Sequence, residues 1–113
     1  MKGRWVQIEQ GPVPLRCWWN NPQKESKYVV LVLPEVFGVN SWVRSVVDRL
    51  AEQGIPALAM PLFARTAPEL DLGYTDDDLV EGRRHKEQTM AQQILVDASS
   101  ALGCLRQHYA NQK

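Results

Sequence analysis

Three stretches in the first third of the chain have the residue pattern of β-strands. Residues 4–10 (RWVQIEQ) alternate side chains in the way that is typical of a half-buried strand. Residues 13–19 (VPLRCWW) follow a Gly-Pro turn signal and predict a second strand antiparallel to the first. Residues 28–33 (YVVLVL) are apolar at every position and rich in β-branched side chains, so they predict a strand covered on both faces.

The hydrophobic period changes to that of a helix after the third predicted strand. Within residues 41–54 (SWVRSVVDRLAEQG), apolar side chains recur at i, i+4 spacing in two adjacent rows. Asn40 or Ser41 can cap the start of this helix, and Gly54 can end it. The rows predicted to be buried are Trp42, Val46 and Leu50, and Val43, Val47 and Ala51, with Arg44, Asp48, Arg49 and Glu52 outside.

The rest of the chain predicts one more strand and one more helix. Residues 55–61 (IPALAMP) form a short strand, and residues 62–88 are polar and irregular. The pattern Thr89-x-x-Gln92 resembles a capping box and predicts that the last helix begins at Thr89. The buried face of that helix is predicted to contain Ile94, Ala98, Leu102, Leu105 and Tyr109.

The order of these elements predicts a single α/β domain over residues 1–113. An antiparallel strand pair is followed by strand, helix, strand and helix, and a strand–helix–strand unit gives a partly parallel sheet. A chain of 113 residues has the length for one modest core.

Composition and charge narrow the classes of function. The formal net charge of +0 gives no electrostatic attraction toward nucleic acid or an anionic membrane. The longest apolar run is far shorter than the roughly 20 residues of a membrane span, and the first ten residues contain no signal-peptide core. Cys17 and Cys104 have no metal-ligand or CxxC spacing and indicate free thiols. We therefore expect a cytoplasmic protein without metal or cofactor.

A carboxylate stands where the third predicted strand ends in a turn. Glu35 and Val36 follow the apolar run, and ligands of open α/β sheets bind where strands end and helices begin. Taken alone, a glutamate in such a turn is more often a solvated or capping residue than a catalytic one. Its interpretation therefore depends on the surrounding residues.

Residues 33–65 closely resemble the dienelactone hydrolase family of α/β-hydrolases. The matching features are the Glu-hydrophobic-Phe-Gly turn with Asn40 soon after it, the glycine that ends the next helix, and the segment from Pro61 to Arg65. The resemblance extends from about residue 4 to about residue 109, and the segment GRRHKEQT resembles cyanobacterial members. It implies the N-terminal half of an α/β-hydrolase fold and the hydrolysis of ester or lactone bonds, of the carboxymethylenebutenolidase type.

The resemblance also implies roles for particular residues. Members of the family use a cysteine nucleophile with a histidine and an aspartate, and a glutamate at the position of Glu35 helps to generate the thiolate. The backbone N–H of Val36 would be one donor of the oxyanion hole. Arg83 or Arg84 would hold the substrate carboxylate, and the sequence does not choose between them.

The chain contains no Gly-x-Cys/Ser-x-Gly segment, the turn on which an α/β-hydrolase places its nucleophile. We therefore expect it to lack the nucleophile-elbow strand and the Cys/Asp/His triad, and to be inactive alone. Its own residues suggest no replacement: Cys17 has no predicted base, and Cys104 is expected to pack inside a helix. His85 is expected to be solvated, and His108 to complement a helix dipole.

Three hypotheses follow, and the sequence leaves open whether this chain is itself an enzyme. It is a fragment or one part of a split hydrolase, acting on a small-molecule ester or lactone when completed by a second half. Alternatively, it is an oligomerising binding module or the non-functional remnant of a truncated gene. Without a fifth strand, residues 28–33 would form an unpaired edge with no lysine or proline to protect it. We therefore expect a homo-oligomer, most simply a two-fold dimer.

Overall fold

A mixed four-stranded sheet with helices on both faces makes up the fold. The computed structural model describes residues 2–22 and 26–108. The strands lie in the order β1-β2-β4-β3, in which β2 is antiparallel to β1 and β4, and β3 is parallel to β4. This confirms the α/β class and the partly parallel sheet. The elements are β1 (Arg4–Ile8), β2 (Leu15–Asn20), β3 (Val30–Val32), α1 (Ser41–Glu52), β4 (Ala57–Ala59), α2 (Asp76–Glu87) and α3 (Ala91–His108).

Alternating side chains of the strands build two apolar clusters, one on each face of the sheet. On β4, Leu58 packs in the cluster that includes residues of α3, whereas Ala59 packs in the cluster that includes residues of α1. On β2, Cys17 and Trp19 are buried in the α3 cluster, and Trp18 packs against the α1 cluster. The period of two along a strand therefore assigns each residue to one helix or the other.

Both ends of α1 are closed by the residues that the sequence singled out. Of the two candidate caps, it is Asn40 whose side chain accepts a hydrogen bond from the Val43 N–H, at 3.1 Å. Gly54 has a φ of 82°, and the Ile55 N–H donates to the Leu50 carbonyl at 3.0 Å. This is the Schellman arrangement, in which a residue without Cβ turns the chain out of the helix.

Only one of the two predicted rows of α1 is buried. Val43, Val47 and Ala51 are buried, whereas Trp42 is 52% exposed. The prediction that Trp42 is buried is therefore wrong. Its ring lies under the Arg49 guanidinium, 4.9 Å from the ring centroid, and this contact covers part of an aromatic surface that does not reach the sheet.

The prediction that Asp48 lies outside the packed face of α1 is also wrong. Its Oδ1 atom accepts hydrogen bonds from the Gly3 N–H, from Nε1 of Trp18 and from Nδ2 of Asn20, each at 3.0 Å. Arg44 is half-buried, and its guanidinium lies 5.8 Å from the Trp18 ring centroid. Two charged side chains thus join α1 to β2 because this part of the sheet presents N–H donors and an aromatic ring.

The strand β3 is less covered than its apolar sequence predicts. Val30, Leu31 and Val32 are half-buried, while Tyr28 and Leu33 on either side are 67% and 51% exposed. The reason lies in the strand order, since β3 is at the edge of the sheet and has a strand neighbour on one side within the described ranges. The prediction that both faces are fully covered is wrong, whereas the prediction of an edge strand is confirmed.

A helix occupies part of the segment that was expected to be irregular. The helix α2 has little apolar surface, and only Gly82 and His85 are buried along it, so no hydrophobic period marks it. The sequence features that indicate this helix are its charges and its N-terminal capping residues. Thr75 and Asp78 form a capping box, the first turn is acidic and the last turn is basic, which matches the helix dipole.

The last helix begins at Ala91 rather than Thr89. The Thr89 hydroxyl donates instead to the His85 carbonyl at 2.9 Å, at the end of α2. On α3 the buried residues are Asp97, Ala101 and Leu105, while Ile94, Ala98 and Leu102 are half-buried and Tyr109 lies outside the described residues. In the part of the chain that the structure describes, no helix is long and apolar enough to cross a bilayer.

Candidate functional site

The turn after β3 is held in one conformation by its glycine. The Gly38 N–H donates to the Glu35 carbonyl at 3.3 Å, and Gly38 has a φ of 82°. A Cβ atom at position 38 would collide with the Leu70 carbonyl group. Glycine is therefore required both by the left-handed backbone and by the close approach of the segment that covers the turn.

The covering segment, residues 70–74, is bound to the turn by several contacts. The Leu72 N–H donates to the Phe37 carbonyl at 2.9 Å, and Nδ2 of Asn40 donates to the Leu72 carbonyl at 3.0 Å. The rings of Phe37 and Tyr74 meet edge to face, with centroids 4.7 Å apart. Asn40 thus has two functions, because it caps α1 and anchors the segment that closes over the turn.

A cavity of about 380 Å³ opens beside this turn. Its walls are mostly apolar, with one carboxylate and two cationic side chains among them. Apolar walls with a few polar groups are typical of small-molecule sites. The lining residues are Glu35, Val36, Phe37, Leu62, Phe63, Leu79, Arg83, Lys86 and Ile94.

Glu35 and Val36 both line this cavity, and the groups of interest are the carboxylate of Glu35 and the backbone N–H of Val36. Glu35 is exposed, so its carboxylate is accessible. The carbonyl of the peptide between Glu35 and Val36 is held by the Gly38 N–H, and in a trans peptide the Val36 N–H points the opposite way. Within residues 2–22 and 26–108, no hydrogen-bond acceptor is assigned to that N–H. Residue Val36 itself is half-buried and lines the cavity.

Helix α2 forms one wall of the cavity and packs directly on the turn. A Cβ atom at Gly82 would collide with the Val36 carbonyl group. The missing side chain lets the helix backbone approach the turn closely. Leu79, Arg83 and Lys86 reach the cavity from this helix.

The two arginines that the sequence could not separate lie in different surroundings. Arg84 donates to both carboxylate oxygens of Glu81, at 2.6 and 2.7 Å. Arg83 lines the cavity with Glu35, and no ion pair of Arg83 is found in the described part of the chain. Of the two arginines, Arg83 is therefore the one that lines the cavity.

Neither cysteine lines the cavity. Burial raises the pKa of the Cys17 thiol from its ordinary value of 9.0 to about 12, with Cys104 adding a smaller contribution, so Cys17 stays protonated at neutral pH. Cys104 is half-buried against the cluster under α3, as expected for a packed residue. His108 lies edge to face with Trp19, with ring centroids 4.9 Å apart.

Two features of this region were not predicted. His85 is buried rather than solvated, and its ring nitrogens bond to Thr66 and Glu81. Asp97, on α3, is fully buried and forms a two-pronged ion pair with Arg65, at 2.8 and 3.2 Å. The sequence carried a weak signal for the second feature, since an aspartate within a buried helix face requires a cationic or hydrogen-bonding partner.

Among the residues that the structure describes, no group of three or more histidine, cysteine, aspartate or glutamate side chains is placed to hold a metal ion.

Comparison with a known structure shows which larger fold these elements belong to. A provisionally assigned dienelactone hydrolase from Klebsiella pneumoniae matches the fold with a TM-score of 0.76 at 23% identity, over 94% of this chain and 44% of that one. The fold is thus part of an α/β-hydrolase fold, with the Glu35 turn at the strand-to-helix position where such sheets bind ligands.

The chain belongs to the dienelactone hydrolase family, whose sequence model matches residues 15–113. It is 40% identical over 74 residues to a provisionally assigned carboxymethylenebutenolidase of Synechocystis sp., covering 66% of this chain and 30% of that protein. It is 32% identical over 85 residues to the carboxymethylenebutenolidase of Pseudomonas putida, covering 75% of this chain and 34% of that protein. The chain therefore spans about a third of the length of these curated relatives. The family resemblance drawn from the sequence, including a cyanobacterial member, is confirmed.

Proposed function

We propose that this chain forms the oxyanion and substrate side of an ester or lactone hydrolase of the carboxymethylenebutenolidase type. The observation that carries the proposal is the cavity beside the turn, which Val36 lines together with Glu35 and Arg83, while the Val36 N–H has no hydrogen-bond acceptor within residues 2–22 and 26–108. A backbone donor stabilises the negative oxygen that develops when a nucleophile attacks an ester carbonyl. The Arg83 guanidinium supplies a fork for a substrate carboxylate.

In this proposal, the cysteine nucleophile, the histidine base and the aspartate of the triad are supplied by a second polypeptide. Glu35 interacts with the incoming cysteine thiol and favours its ionisation, as the family resemblance implies. The chain by itself is therefore inactive toward lactones, because an oxyanion donor and a binding wall do not supply an attacking group.

The test is a reconstitution with a second polypeptide that carries the Gly-x-Cys-x-Gly segment and the remaining residues of a family member. Size-exclusion chromatography establishes that the two chains associate, and ultraviolet absorbance follows hydrolysis of a carboxylated dienelactone. We expect turnover by the complex and none by either chain alone. An associated complex without turnover would contradict the proposal.

Two substitutions of Val36 in the complex distinguish the effect of its backbone N–H on catalysis from the effect of its side-chain packing. Val36→Pro removes the N–H and should lower kcat by about 10²–10³-fold, the usual loss for one oxyanion donor. Val36→Ala retains the N–H and should leave kcat within a few-fold. Circular dichroism of both variants shows whether the turn still folds. Equal activity of the two folded variants would refute the role of this N–H.

A second candidate function, self-association, is favoured by the sheet edge. In the described part of the chain, the outer side of β3 has no partner strand, and Tyr28 and Leu33 flank it with 67% and 51% of their surfaces exposed. The strand contains no lysine or proline, so its backbone groups can pair with another chain. We propose a two-fold dimer that pairs these edges.

Light scattering behind a sizing column tests the dimer at micromolar concentration. Replacing Leu31 by proline removes a backbone donor from the edge strand and should shift the population toward monomer. Leu31→Val is the matched control, since it keeps the backbone donor and the apolar side chain. A monodisperse monomer in the unmodified chain would contradict this candidate.

A further inference from the structure

A chain of hydrogen bonds outside the cavity joins a hydroxyl, an imidazole and a carboxylate. The Thr66 Oγ1 atom lies 2.9 Å from Nδ1 of His85, and Nε2 of His85 lies 2.9 Å from Oε2 of Glu81. Glu81 and His85 are four residues apart on α2, so they share one face of the helix. Thr66 follows β4 and approaches the imidazole from the other side.

The chemistry of the two partners determines the direction of these bonds. A carboxylate only accepts hydrogen bonds, so Nε2 of His85 carries the proton that is donated to Glu81. Hydrogen bonds from Arg84, and to a smaller extent from His85, hold the pKa of Glu81 below its usual value, which keeps it ionised at neutral pH. In the neutral imidazole, Nδ1 is then an acceptor, and the Thr66 hydroxyl donates to it.

Within this hydrogen-bonded group, the imidazole of His85 is buried and Thr66 is exposed, an arrangement that suits general-base chemistry. His85 is 9% exposed, and its ring stacks on Phe63 with centroids 6.3 Å apart, so its orientation is constrained. Thr66, in contrast, is exposed. The imidazole is thus held in place by packing and by a carboxylate, while the threonine whose hydroxyl it contacts lies at the protein surface.

We propose that Thr66 is a nucleophile that accepts an acyl group from activated esters, with His85 as its general base and Glu81 as the carboxylate that orients the base. The Oγ1 atom forms a bond to the ester carbonyl carbon while its proton moves to Nδ1 of His85. The bond from the carbonyl carbon to the alkoxy or aryloxy oxygen breaks, and the leaving group departs with that electron pair. The product is an acyl-threonine ester, and the imidazolium then releases its proton to the leaving group or to water.

The local backbone limits this reaction to acylation without efficient turnover. The N–H groups of Thr66 and Ala67 both donate to the Phe63 carbonyl, at 3.1 and 2.7 Å, so neither is free to stabilise an oxyanion. The rate therefore depends on general-base assistance, which contributes about 10²–10⁴-fold. We expect one acyl group per chain, added by good leaving groups such as aryl acetates.

The experiment uses p-nitrophenyl acetate and the full chain alone, so its result is independent of the proposed hydrolase function. Release of p-nitrophenolate is followed by absorbance, and intact-mass spectrometry with peptide mapping locates the acetyl group. We expect stoichiometric release and acetylation of the peptide that contains Thr66. Thr66→Ser should retain the reaction, whereas Thr66→Val, which keeps the side-chain shape, should abolish it.

A second variant tests the base. His85→Gln can still bond to Thr66 but cannot accept its proton, so acetylation at position 66 should slow by about 10²-fold or more. If His85→Gln does not fold, as judged by circular dichroism, the comparison of Thr66→Ser with Thr66→Val decides the matter. The proposal would be overturned if the acetyl group were found on residues other than Thr66. It would also be overturned if Thr66 were acetylated at an unchanged rate in His85→Gln.

Discussion

The ion pair between Arg65 and Asp97 gives the sharpest prediction about stability. Asp97 is fully buried, with its side chain 1% exposed, whereas the Arg65 side chain is 24% exposed. The two guanidinium nitrogens donate to the two carboxylate oxygens at 2.8 and 3.2 Å. The pair connects the segment after β4 to α3, so it fixes one helix against the end of the sheet.

Replacing Arg65 by methionine leaves a buried carboxylate without its partner. Two hydrogen bonds to a charged group contribute about 1.5–3 kcal/mol each, and breaking a buried pair from one side lowers stability by about 3–5 kcal/mol. We expect Arg65→Met to lose free energy of unfolding in that range. Asp97→Leu should lose less, because the partly exposed arginine can be hydrated in its place.

Urea unfolding followed by tryptophan fluorescence measures these free energies, with the m-value as a check on two-state behaviour. The matched control is Arg84→Met, the same change in an exposed ion pair, which should leave the unfolding free energy nearly unchanged. The double variant Arg65→Met with Asp97→Leu should recover much of the loss, since an apolar pair can replace a buried ion pair. Equal effects of Arg65→Met and Arg84→Met, or no recovery in the double variant, would refute the reasoning.

Three further predictions concern helix packing, alkaline stability and activity. Gly82→Ala should lower the free energy of unfolding by about 1–3 kcal/mol in urea, because the new methyl group collides with Val36. The control is Gly103→Ala, which has open space around it and should raise the free energy of unfolding by about 0.5–1 kcal/mol. A gain in stability at both sites would contradict the close approach of α2 to the turn. The pKa of Cys17 is raised to about 12 in the folded chain, so the folded state holds a proton that the unfolded state loses from about pH 9 upward. Stability should therefore fall between pH 9 and 12 by up to about 1.4 kcal/mol per pH unit, and Cys17→Ala should remove that part of the slope in denaturation curves. The isolated chain should hydrolyse a carboxylated dienelactone at no more than a trace rate, and multiple turnovers in a progress curve would show that these residues form a complete hydrolytic site by themselves.

Local patterns were sufficient to determine much of this protein from its sequence. The strand pair, the apolar third strand and the helix α1 follow from hydrophobic period, and Asn40 and Gly54 act at the ends of α1 as short-range capping rules predict. The turn at Glu35 and the family also follow from contiguous residues. These features depend on residues within a few positions of one another, so they can be predicted from short segments of the sequence.

Other features exist only because distant segments meet. The helix α2 has no apolar stripe, and it is positioned by Gly82 on Val36 and by His85 between Glu81 and Thr66. Asp97 can be buried only because an arginine from the segment after β4 reaches it. The difference between the two neighbouring arginines of α2 has the same origin, since the direction in which a helix faces the sheet decides which one lines the cavity. Charged and polar side chains depend on specific partners, and the tertiary structure alone determines which partners lie within hydrogen-bonding distance.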